Sequence, residues 1–405
     1  MQIIMFINTI LLFFLFLIFS SWYFLLIISF FKKEKIKKLK KFPKVSILIP
    51  AYNEEKNIGK CIENLKKINY PKKLLEIIVV DDGSTDKTFE IAKRYGVKVY
   101  KIKHCGKACA LNFGLRKCTG KYVLIIDADT IVDKNFIVEA LKRMNKNVVA
   151  VSASMDILNE KNIITLFQKV EYIFASLFKK ALNSLETGCL YIFGAATIYK
   201  TSILRRLKFK NVSTEDFDLA VRIQSNGYKI IQIDNFAKTI VPEKLHSLYK
   251  QRIRWYSHAL YILKYYKFKF FKKISSLSIY TLPLTFFWYV FAILNVPITI
   301  FQIFYWIPKE NLLEAILFVF RWFSFFGTIY NIYMLKFWKI NLDLALGIVV
   351  SIQSFLFILF SLIYFKKLNI KTLTISFFMY PYFFFIINFS LIFSIIKFLK
   401  ESLKL

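Results

Sequence analysis

Two aspartates, Asp127 and Asp129, are separated by a single alanine at the end of the apolar segment KYVLIID (121–127). Carboxylates at positions i and i+2 of a strand end can share a hard divalent cation, Mg²⁺ or Mn²⁺, which in turn binds the phosphates of a substrate. A solvated turn is the alternative, because so short a motif also arises by chance. The pair predicts a metal site and places Asp127 beside the phosphates of a bound nucleotide.

Two acidic residues also end a second apolar segment, VVDDGSTD (79–86), which continues into a Gly-Ser turn and the start of a helix. Asp81 or Asp82 can accept the imide N–H of a uracil base and bond to ribose. The alternative is a plain strand-turn-helix cap in which Ser84 or Thr85 satisfies the first turn of the helix. The segment predicts part of a nucleotide site.

A third apolar segment ends in IPAYNEE (49–55). A backbone carbonyl at Pro50 and the ring of Tyr52 can hold the base, and Glu54 can bind the ribose. Lys107, in HCGKACALNFGL (104–115), stands at or just before a predicted helix N-terminus. A lysine and unpaired backbone N–H groups at that position favour a phosphate, whereas in so lysine-rich a chain the alternative for any single lysine is surface charge.

Two later segments can serve an acceptor. Asp216, in the run Ser213-Thr214-Glu215-Asp216, precedes an amphipathic helix (217–226) and can act as a general base. Acidic residues also favour a helix N-terminus for electrostatic reasons alone. In the run Gln251-Arg252-Ile253-Arg254-Trp255, an aromatic face can stack on a sugar and arginine can steady phosphate charge. An interfacial Arg/Trp anchor ahead of a membrane span is the alternative for this run.

The elements between these residues predict an α/β sheet. Short apolar runs at 45–50, 75–81, 97–100 and 121–127 are typical of buried parallel strands. Helical patterns lie between them, at 55–67, 85–95 and 107–117. Ligands bind such sheets at the carboxyl ends of the strands, where the polar clusters fall.

One further helix, 161–183, carries aromatics and lysines on an amphipathic pattern. A helix on the membrane surface and a core helix of the domain are equally good interpretations.

Long apolar segments predict a membrane protein. Residues 3–31 are long enough to span a bilayer and lack the features of a cleaved signal peptide. The basic run 32–41 follows them, so the positive-inside rule places the N-terminus outside and the domain that follows in the cytoplasm. Four further spans are expected near 275–307, 312–335, 343–364 and 372–398, which would place the lysine-bearing link 366–371 outside.

The composition agrees with this division. Of 405 residues, 56% are hydrophobic and the formal net charge is +33. The lysines crowd beside apolar runs, which favours an anionic membrane leaflet and membrane lipid as partners and disfavours nucleic acid. The five cysteines form no CxxC pair, and with three histidines they make no convincing zinc site. We expect reduced thiols facing the cytosol.

In order, the segments resemble the D, DxD, [ST]ED and QxxRW pattern of family 2 inverting glycosyltransferases. The closest subgroup is the membrane polysaccharide synthases that make hyaluronan, cellulose, chitin and poly-N-acetylglucosamine. The resemblance implies a GT-A catalytic domain at 43–270, joined to a first helix (1–31) by a basic linker (32–42) and followed by a membrane region of about four helices (271–400). It implies a UDP-sugar donor, metal-assisted departure of UDP and inversion at the anomeric carbon.

The same resemblance implies residue roles. Asp216 is the base, Gln251 and Arg254 close over the diphosphate, and Trp255 places the acceptor sugar. The segment FGAATIYK (193–200), with Gly194, is similar to the one that lines the acceptor end, and Glu215 belongs there too. N-acetylglucosamine and a growing polysaccharide are the expected sugar and acceptor in an integral protein of the cell membrane.

Three alternatives stay open at this point. One is transfer of a single sugar to a lipid-phosphate carrier, as in dolichyl-phosphate mannose synthases, which lack the QxxRW segment. Another is a transporter whose cytoplasmic domain only binds nucleotide, although Arg321 is the clearest intramembrane charge and an ion path is poorly supported. The last is an inactive scaffold, against which the intact acidic motifs argue.

Overall fold

The computed structural model describes residues 2–32, 36–190, 194–266, 275–335 and 340–403. Residues 33–35 of the basic linker, Phe193 and residues 267–274 at the predicted end of the catalytic domain lie outside the described ranges. Within them, eight strands form one mixed sheet in the order β3-β2-β1-β4-β7-β6-β8-β5. The strands are β1 Val45–Ala51, β2 Leu75–Asp81, β3 Lys98–Lys101, β4 Tyr122–Ile126, β5 Ile131–Val132, β6 Val148–Ile157, β7 Ala196–Lys200 and β8 Lys229–Thr239.

The first four strands are parallel, as their apolar runs predict. Every residue of β1 is buried, because helices cover both faces of the sheet at that strand. Strand β7 runs antiparallel to both β4 and β6, and β6 pairs in parallel with the long β8. The α/β prediction is therefore confirmed, with a mixed second half that the sequence patterns do not indicate.

Nine helices belong to or adjoin this sheet in the described ranges. They are α1 Gln2–Phe31, α2 Ile58–Lys66, α3 Thr88–Arg94, α4 Lys107–Lys117, α5 Phe136–Arg143, α6 Ile163–Leu182, α7 Thr201–Leu207, α8 Glu215–Ser225 and α9 Leu245–Tyr266. Helix α4 packs so closely on β1 that a Cβ on Gly114 would overlap the side chain of Leu48. This close approach packs the C-terminal half of α4 directly against β1 and β2.

Helix α6 connects the sheet to the apolar helices. Its Ser176 hydroxyl accepts the N–H of Met155 in β6, and its Val170, Ile173 and Leu177 share a core with Trp22 of α1. The interpretation of the 161–183 pattern as a core helix is thus confirmed, because one face of α6 covers the sheet and the other packs on long apolar helices. The interpretation as a helix on the membrane surface stays a prediction.

Six helices follow the sheet: α10 Leu277–Trp306, α11 Leu312–Trp322, α12 Phe325–Met334, α13 Leu342–Tyr364, α14 Ile370–Phe377 and α15 Met379–Ser402. By length and composition, α1, α10, α13 and α15 could each cross a membrane, and the pair α11–α12, bent by 108°, could form a broken span or a re-entrant loop.

Contacts show which end of each helix lies by the sheet. Tyr364, at the end of α13, donates to Asp234 of β8, whereas Asp343, at its start, accepts from Thr9 near the start of α1. With a rise of 1.5 Å per residue these two ends of α13 lie roughly 30 Å apart. Helix α10 begins beside the sheet domain, where Ser276 contacts Thr187. Helices α1, α10 and α13 therefore run between the domain and a far end of the bundle.

The remaining apolar helices turn back. Helix α10 ends and α13 begins at the end of the bundle that is far from the sheet. The bent pair α11–α12, which connects them, therefore starts and finishes at that far end. The pair α14–α15 starts beside the sheet, where Lys367 Nζ lies 2.7 Å from Asp156 Oδ2. It ends there too, because Tyr261 of α9 donates to Glu401 at 2.6 Å. The link 366–371 therefore lies on the side of the sheet domain and not, as expected from four successive spans, on the opposite side.

Candidate active site

The carboxyl ends of β1, β2 and β4 bring the predicted nucleotide residues to one edge of the sheet. Asp81 ends β2 and is fully buried. Its Oδ1 accepts the backbone N–H of Ser84 at 3.2 Å. Its Oδ2 has no hydrogen-bond partner within the described part of the chain and lies 3.7 Å from Lys101 Nζ. Asp81 thus offers one buried acceptor oxygen to a ligand.

Asp82 has a different function in the structure. Its two carboxylate oxygens accept the backbone N–H groups of Cys105 and Gly106, both at 2.9 Å. The carboxylate therefore holds the turn that leads into α4. Of the two aspartates that were candidates for the uracil imide, Asp81 is the one whose carboxylate retains an acceptor.

Tyr52 and His104 form the outer wall of this region. Their rings stack with centroids 4.3 Å apart, and Tyr52 is 45% exposed. Pro50 lies inside β1, where it is paired with Val80 and buried. Glu54 accepts from Asn57 at 2.8 Å. Burial raises the pKa of Glu54, the hydrogen bond from Asn57 lowers it, and the charge of Asp127 raises it again.

Lys107 joins the two halves of the site. It is the first residue of α4, and its Nζ lies 2.8 Å from Asp127 Oδ1 and 3.1 Å from Glu215 Oε1. Burial lowers the pKa of Lys107, but the negative charges of Asp127, Glu215 and Asp216 outweigh it and hold that pKa well above the ordinary value. The side chain is a fixed cation at the end of β4.

Asp129 lies one turn beyond β4 and accepts from Thr130 and Thr239 at 3.1 and 3.2 Å. Burial, followed by the charges of Asp127 and Glu54, raises the pKa of Asp129 to about 6. Within the described ranges no group of three or more His, Cys, Asp or Glu side chains could hold a metal by itself. Two carboxylates are nevertheless a usual protein contribution for Mg²⁺ when phosphates supply further oxygens.

Asp216 is set in the first turn of α8, directly against Gly194. A Cβ on residue 194 would overlap Oδ2 of Asp216, so a side chain at that position is excluded. Oδ1 accepts the backbone N–H of Phe217 at 2.8 Å. Burial and then the neighbouring charge of Glu215 raise the pKa of Asp216 to about 6. A carboxylate with such a pKa is ionised at neutral pH and still basic enough to take a proton.

The predicted acceptor motif lies on α9. Gln251, Arg254 and Trp255 occupy positions i, i+3 and i+4, which share one face of a helix, and all three line the same cavity as Asp127, Asp129 and Asp216. The structure therefore brings the metal, base and acceptor candidates together. The predicted base-binding and ribose-binding residues do not line that cavity; they are Pro50, Tyr52, Glu54, Asp81 and Asp82.

The cavity has a volume of about 2150 Å³ and continues from the sheet edge into the helix bundle. Its far part reaches Asn341 and Asp343 at the start of α13. Among the described residues, every tryptophan lines it: Trp22, Trp255, Trp288, Trp306 and Trp322. Amide and hydroxyl side chains, including Asn295, Gln302, Asn331 and Ser351, occur between them.

Sequence reasoning missed several residues around this cavity, among them Glu171, Tyr172 and Lys179 of α6, all of which line it. Their helical spacing on an amphipathic segment was the available signal, but either face of α6 could have been the inner one. The expectation of reduced cysteines is wrong for one pair, because Cys105 and Cys109 form a disulfide across the start of α4. Cys61, Cys118 and Cys189 are buried thiols.

Comparison with known proteins agrees with this geometry. Residues 46–208, which run from β1 to just past α7, match the family described as Glycosyl transferase family 2. By this match, residues 46–208 are similar to a family 2 glycosyltransferase domain. The match contains Asp81, Lys107, Asp127 and Asp129, whereas Asp216 and the Gln251–Trp255 segment lie beyond it.

Two curated relatives extend the similarity beyond the matched residues. A poly-beta-1,6-N-acetyl-D-glucosamine synthase of Staphylococcus aureus (strain COL) is 33% identical over 232 residues, 52% of this chain and 53% of that protein. The synthase of the same name from Staphylococcus epidermidis is 30% identical over 222 residues, with the same coverage. The chain thus spans about half the length of the curated relatives it matches.

Among solved structures, the mannosyltransferase PcManGT from Pyrobaculum calidifontis, in complex with GDP-Man and Mn²⁺, has a TM-score of 0.59. It is 20% identical and the match covers 87% of this chain and 97% of that one. The likeness confirms the GT-A architecture together with much of the apolar region.

Proposed function

We propose that this chain is a membrane-embedded, inverting glycosyltransferase that extends a polysaccharide with sugar from a nucleotide-sugar donor and passes the product into its helix bundle. The observation that carries the proposal is the cavity that connects the acidic sheet edge with the far end of the bundle and is lined by tryptophans and amides. Tryptophan faces stack on sugar rings, and amide and hydroxyl groups bond to sugar hydroxyls. A path for a lipid tail needs neither.

The donor nucleotide would bind at the ends of β1 and β2. Asp81 Oδ2 accepts an N–H of the base, the ring of Tyr52 covers the base, and Glu54 faces the ribose. Lys107 then stands beside the diphosphate, with the unpaired N–H groups of the first turn of α4. The resemblance to the polysaccharide synthases favours UDP-N-acetylglucosamine, and a GDP-sugar is the donor that the experiment must exclude.

Asp127 and Asp129 would hold the divalent cation, Mg²⁺ or Mn²⁺. The two aspartates fit such an ion because they offer only hard oxygen ligands. Burial, and then the negative charge of Asp127, raises the pKa values of Asp129 and Glu54, so a cation at this position would relieve unfavourable charge. When bound, the cation neutralises charge on the departing diphosphate.

The transfer itself needs one base. Asp216 Oδ2 takes the proton of the acceptor hydroxyl as that oxygen attacks the anomeric carbon from the face opposite the leaving group. The bond from the anomeric carbon to the diphosphate oxygen breaks, and the electron pair leaves with the nucleotide, whose negative charge Lys107 and Arg254 stabilise. Trp255 holds the acceptor ring beside Asp216, so that orientation supplies much of the rate.

The membrane placement belongs to the same proposal. Helices α1, α10 and α13 would cross the bilayer of the cell membrane, with the sheet domain in the cytoplasm, where nucleotide-sugars are made. The lysine-bearing link 366–371 then lies on the cytoplasmic side, as the positive-inside rule favours.

The test is product size with defined donors. The protein, purified in lipid nanodiscs, is incubated with Mn²⁺ and either UDP-[¹⁴C]N-acetylglucosamine or GDP-[¹⁴C]mannose, and products are sized at early times. We expect long polymer from the UDP-sugar while most acceptor is unused, and none from Asp216→Asn. A single organic-extractable monosaccharide product at every time point would replace the polymer synthase with a lipid-carrier transferase.

A further inference from the structure

Arg252, the second residue of the Gln251–Trp255 segment, does not line the cavity, although Gln251, Arg254 and Trp255 do. Its side chain is fully buried. Its guanidinium lies over the indole of Trp255, 4.5 Å from the ring centre, and Nη1 donates to Gln251 Oε1 at 3.3 Å. One buried cation therefore contacts two of the three residues predicted to hold acceptor and diphosphate.

The charge of Arg252 is balanced by a carboxylate from another element. Nη2 lies 2.6 Å from Oε2 of Glu171, on α6. The same Oε2 accepts the hydroxyl of Tyr382 at 2.5 Å, and Tyr382 belongs to the returning helix α15. The ring of Tyr382 is in turn stacked on Phe167, with centroids 5.3 Å apart. Three elements, α6, α9 and α15, thus meet at one carboxylate.

Such a buried pair contributes more to geometry than to stability. The cost of desolvating both charges offsets most of their attraction, whereas removing one partner leaves the other charge unpaired. A flat guanidinium under an indole also restricts how that ring can rotate. Arg252 thus lies over the ring of Trp255, and Trp255 itself lines the cavity.

We infer that Arg252 is a positioning residue for the acceptor platform, and that Glu171 and Tyr382 transmit the placement of α15 to Trp255. The inference rests on the proposed function, in which an acceptor sugar stacks on Trp255. Binding of the growing chain would then depend on a helix of the apolar region. Binding of the donor would not, because the proposed base-binding and ribose-binding residues do not line the cavity.

The test separates donor from acceptor. For each variant, release of nucleotide diphosphate from donor alone gives the donor KM, and transfer to an added oligosaccharide gives the acceptor KM and product length. For Glu171→Gln, which keeps the shape but removes the charge, we expect an acceptor KM raised about tenfold, shorter product and a donor KM within about twofold of the original. Tyr382→Phe keeps the ion pair and should shift the same two quantities in the same direction by less.

Two further variants control for stability. Asp234→Asn removes a different carboxylate, which lies 2.8 Å from Lys180. Lys180 is on α6, the helix that also carries Glu171. This variant should leave donor KM, acceptor KM and product length unchanged. Arg252→Lys keeps the charge opposite Glu171 but loses the flat group over the indole. It should raise the acceptor KM without lowering the melting temperature in detergent by more than Asp234→Asn does.

The outcomes are distinct. If Glu171→Gln raises donor and acceptor KM together, or has no more effect than Asp234→Asn, Arg252 has only a structural role and the inference is overturned. If the unaltered protein transfers sugar from no nucleotide-sugar at all, the proposed function fails first, and the variants are then not interpreted as positioning effects.

Discussion

The ammonium nitrogen of Lys107 lies 2.8 Å from Oδ1 of Asp127 and 3.1 Å from Oε1 of Glu215. The first residue of α4 thereby links the end of β4, where we propose that the diphosphate binds, to the start of α8, which carries the proposed base Asp216. In the proposed reaction, a cation fixed at this junction would already be in place when negative charge develops on the leaving diphosphate. Pre-arranged charge of this kind is usually a large contribution to the rate of an enzyme.

Lys107→Gln should lower the rate of transfer by about 10²-fold, the usual effect of removing one such group. Lys103→Gln, at an exposed position in the segment that precedes α4, removes the same charge and should leave the rate of transfer nearly unchanged. Steady-state rates with a radiolabelled donor measure both. Equal effects of the two substitutions would mean that only the net charge of the surface matters.

Removal of the divalent cation should stop transfer. EDTA is expected to abolish activity and added Mn²⁺ or Mg²⁺ to restore it, because Asp127 and Asp129 leave the diphosphate charge uncompensated without the ion. Asp129→Asn should raise the Mn²⁺ concentration for half-maximal rate. Asp133→Asn, which changes a carboxylate just beyond the same loop, is the matched control. Full transfer in EDTA would rule out the metal site.

Asp216→Asn should reduce turnover by about 10²–10⁴-fold, the usual contribution of a general base, while calorimetric affinity for the nucleotide changes little. Loss of nucleotide binding together with activity would show that Asp216 serves the donor instead.

The pH dependence follows from the same residue. Burial and Glu215 raise the pKa of Asp216 from 3.8 to about 6. Only the ionised carboxylate can accept a proton, so kcat/KM should be full above that pH and fall as the pH drops through about 6. Saturating Mn²⁺ keeps the protonation of Asp129 from adding to the effect. A profile that is flat down to pH 4.5 would contradict the assignment.

Reduction of the Cys105–Cys109 disulfide should weaken donor binding. Cys105 belongs to the turn whose backbone N–H groups bond to Asp82, and Cys109 belongs to the first turn of α4. The disulfide therefore joins that turn to the part of α4 that carries Lys107. Dithiothreitol would supply two electrons and two protons to give two thiols and would itself become a cyclic disulfide. A loss of about 1 kcal/mol corresponds to a donor KM raised roughly fivefold. The double variant Cys105→Ser, Cys109→Ser should match the reduced protein and ignore dithiothreitol, and sensitivity of that variant would point to another thiol.

The first half of the sheet could be predicted because strand, turn and chemistry coincide in sequence. The apolar run of β2 ends in Asp81, followed by Asp82, and the apolar run of β4 ends in Ile126, followed by Asp127 and Asp129. The order and direction of strands β6 to β8 could not be predicted from the sequence. Each of these strands pairs with strands that are distant in sequence, and no local turn motif indicates the pairing. Apolar length likewise predicts helices without saying whether a helix crosses or returns; only the lysines of 366–371 indicated that a simple count of spans was doubtful.

Arg252 shows the limit more sharply. In sequence it is one basic residue among 59, and nothing local distinguishes it from a solvated arginine. Its burial depends on Glu171, 81 residues earlier, and on Tyr382, 130 residues later. Pairings over such separations are properties of the packed molecule.

The return of α14–α15 to the sheet domain has a practical consequence for labelling. Glu401 is held by Tyr261 of α9, while Thr9 is paired with Asp343 at the opposite end of the bundle. Reporters fused at the two ends of the chain should therefore give opposite signals. A fluorescent protein fused after Ser402 should be fluorescent, because it would lie in the cytoplasm. Alkaline phosphatase is active only outside the cytoplasm, and it should be active when fused ahead of Gln2. Two reporters active on the same side would require an even number of crossings and a different path for the last helices.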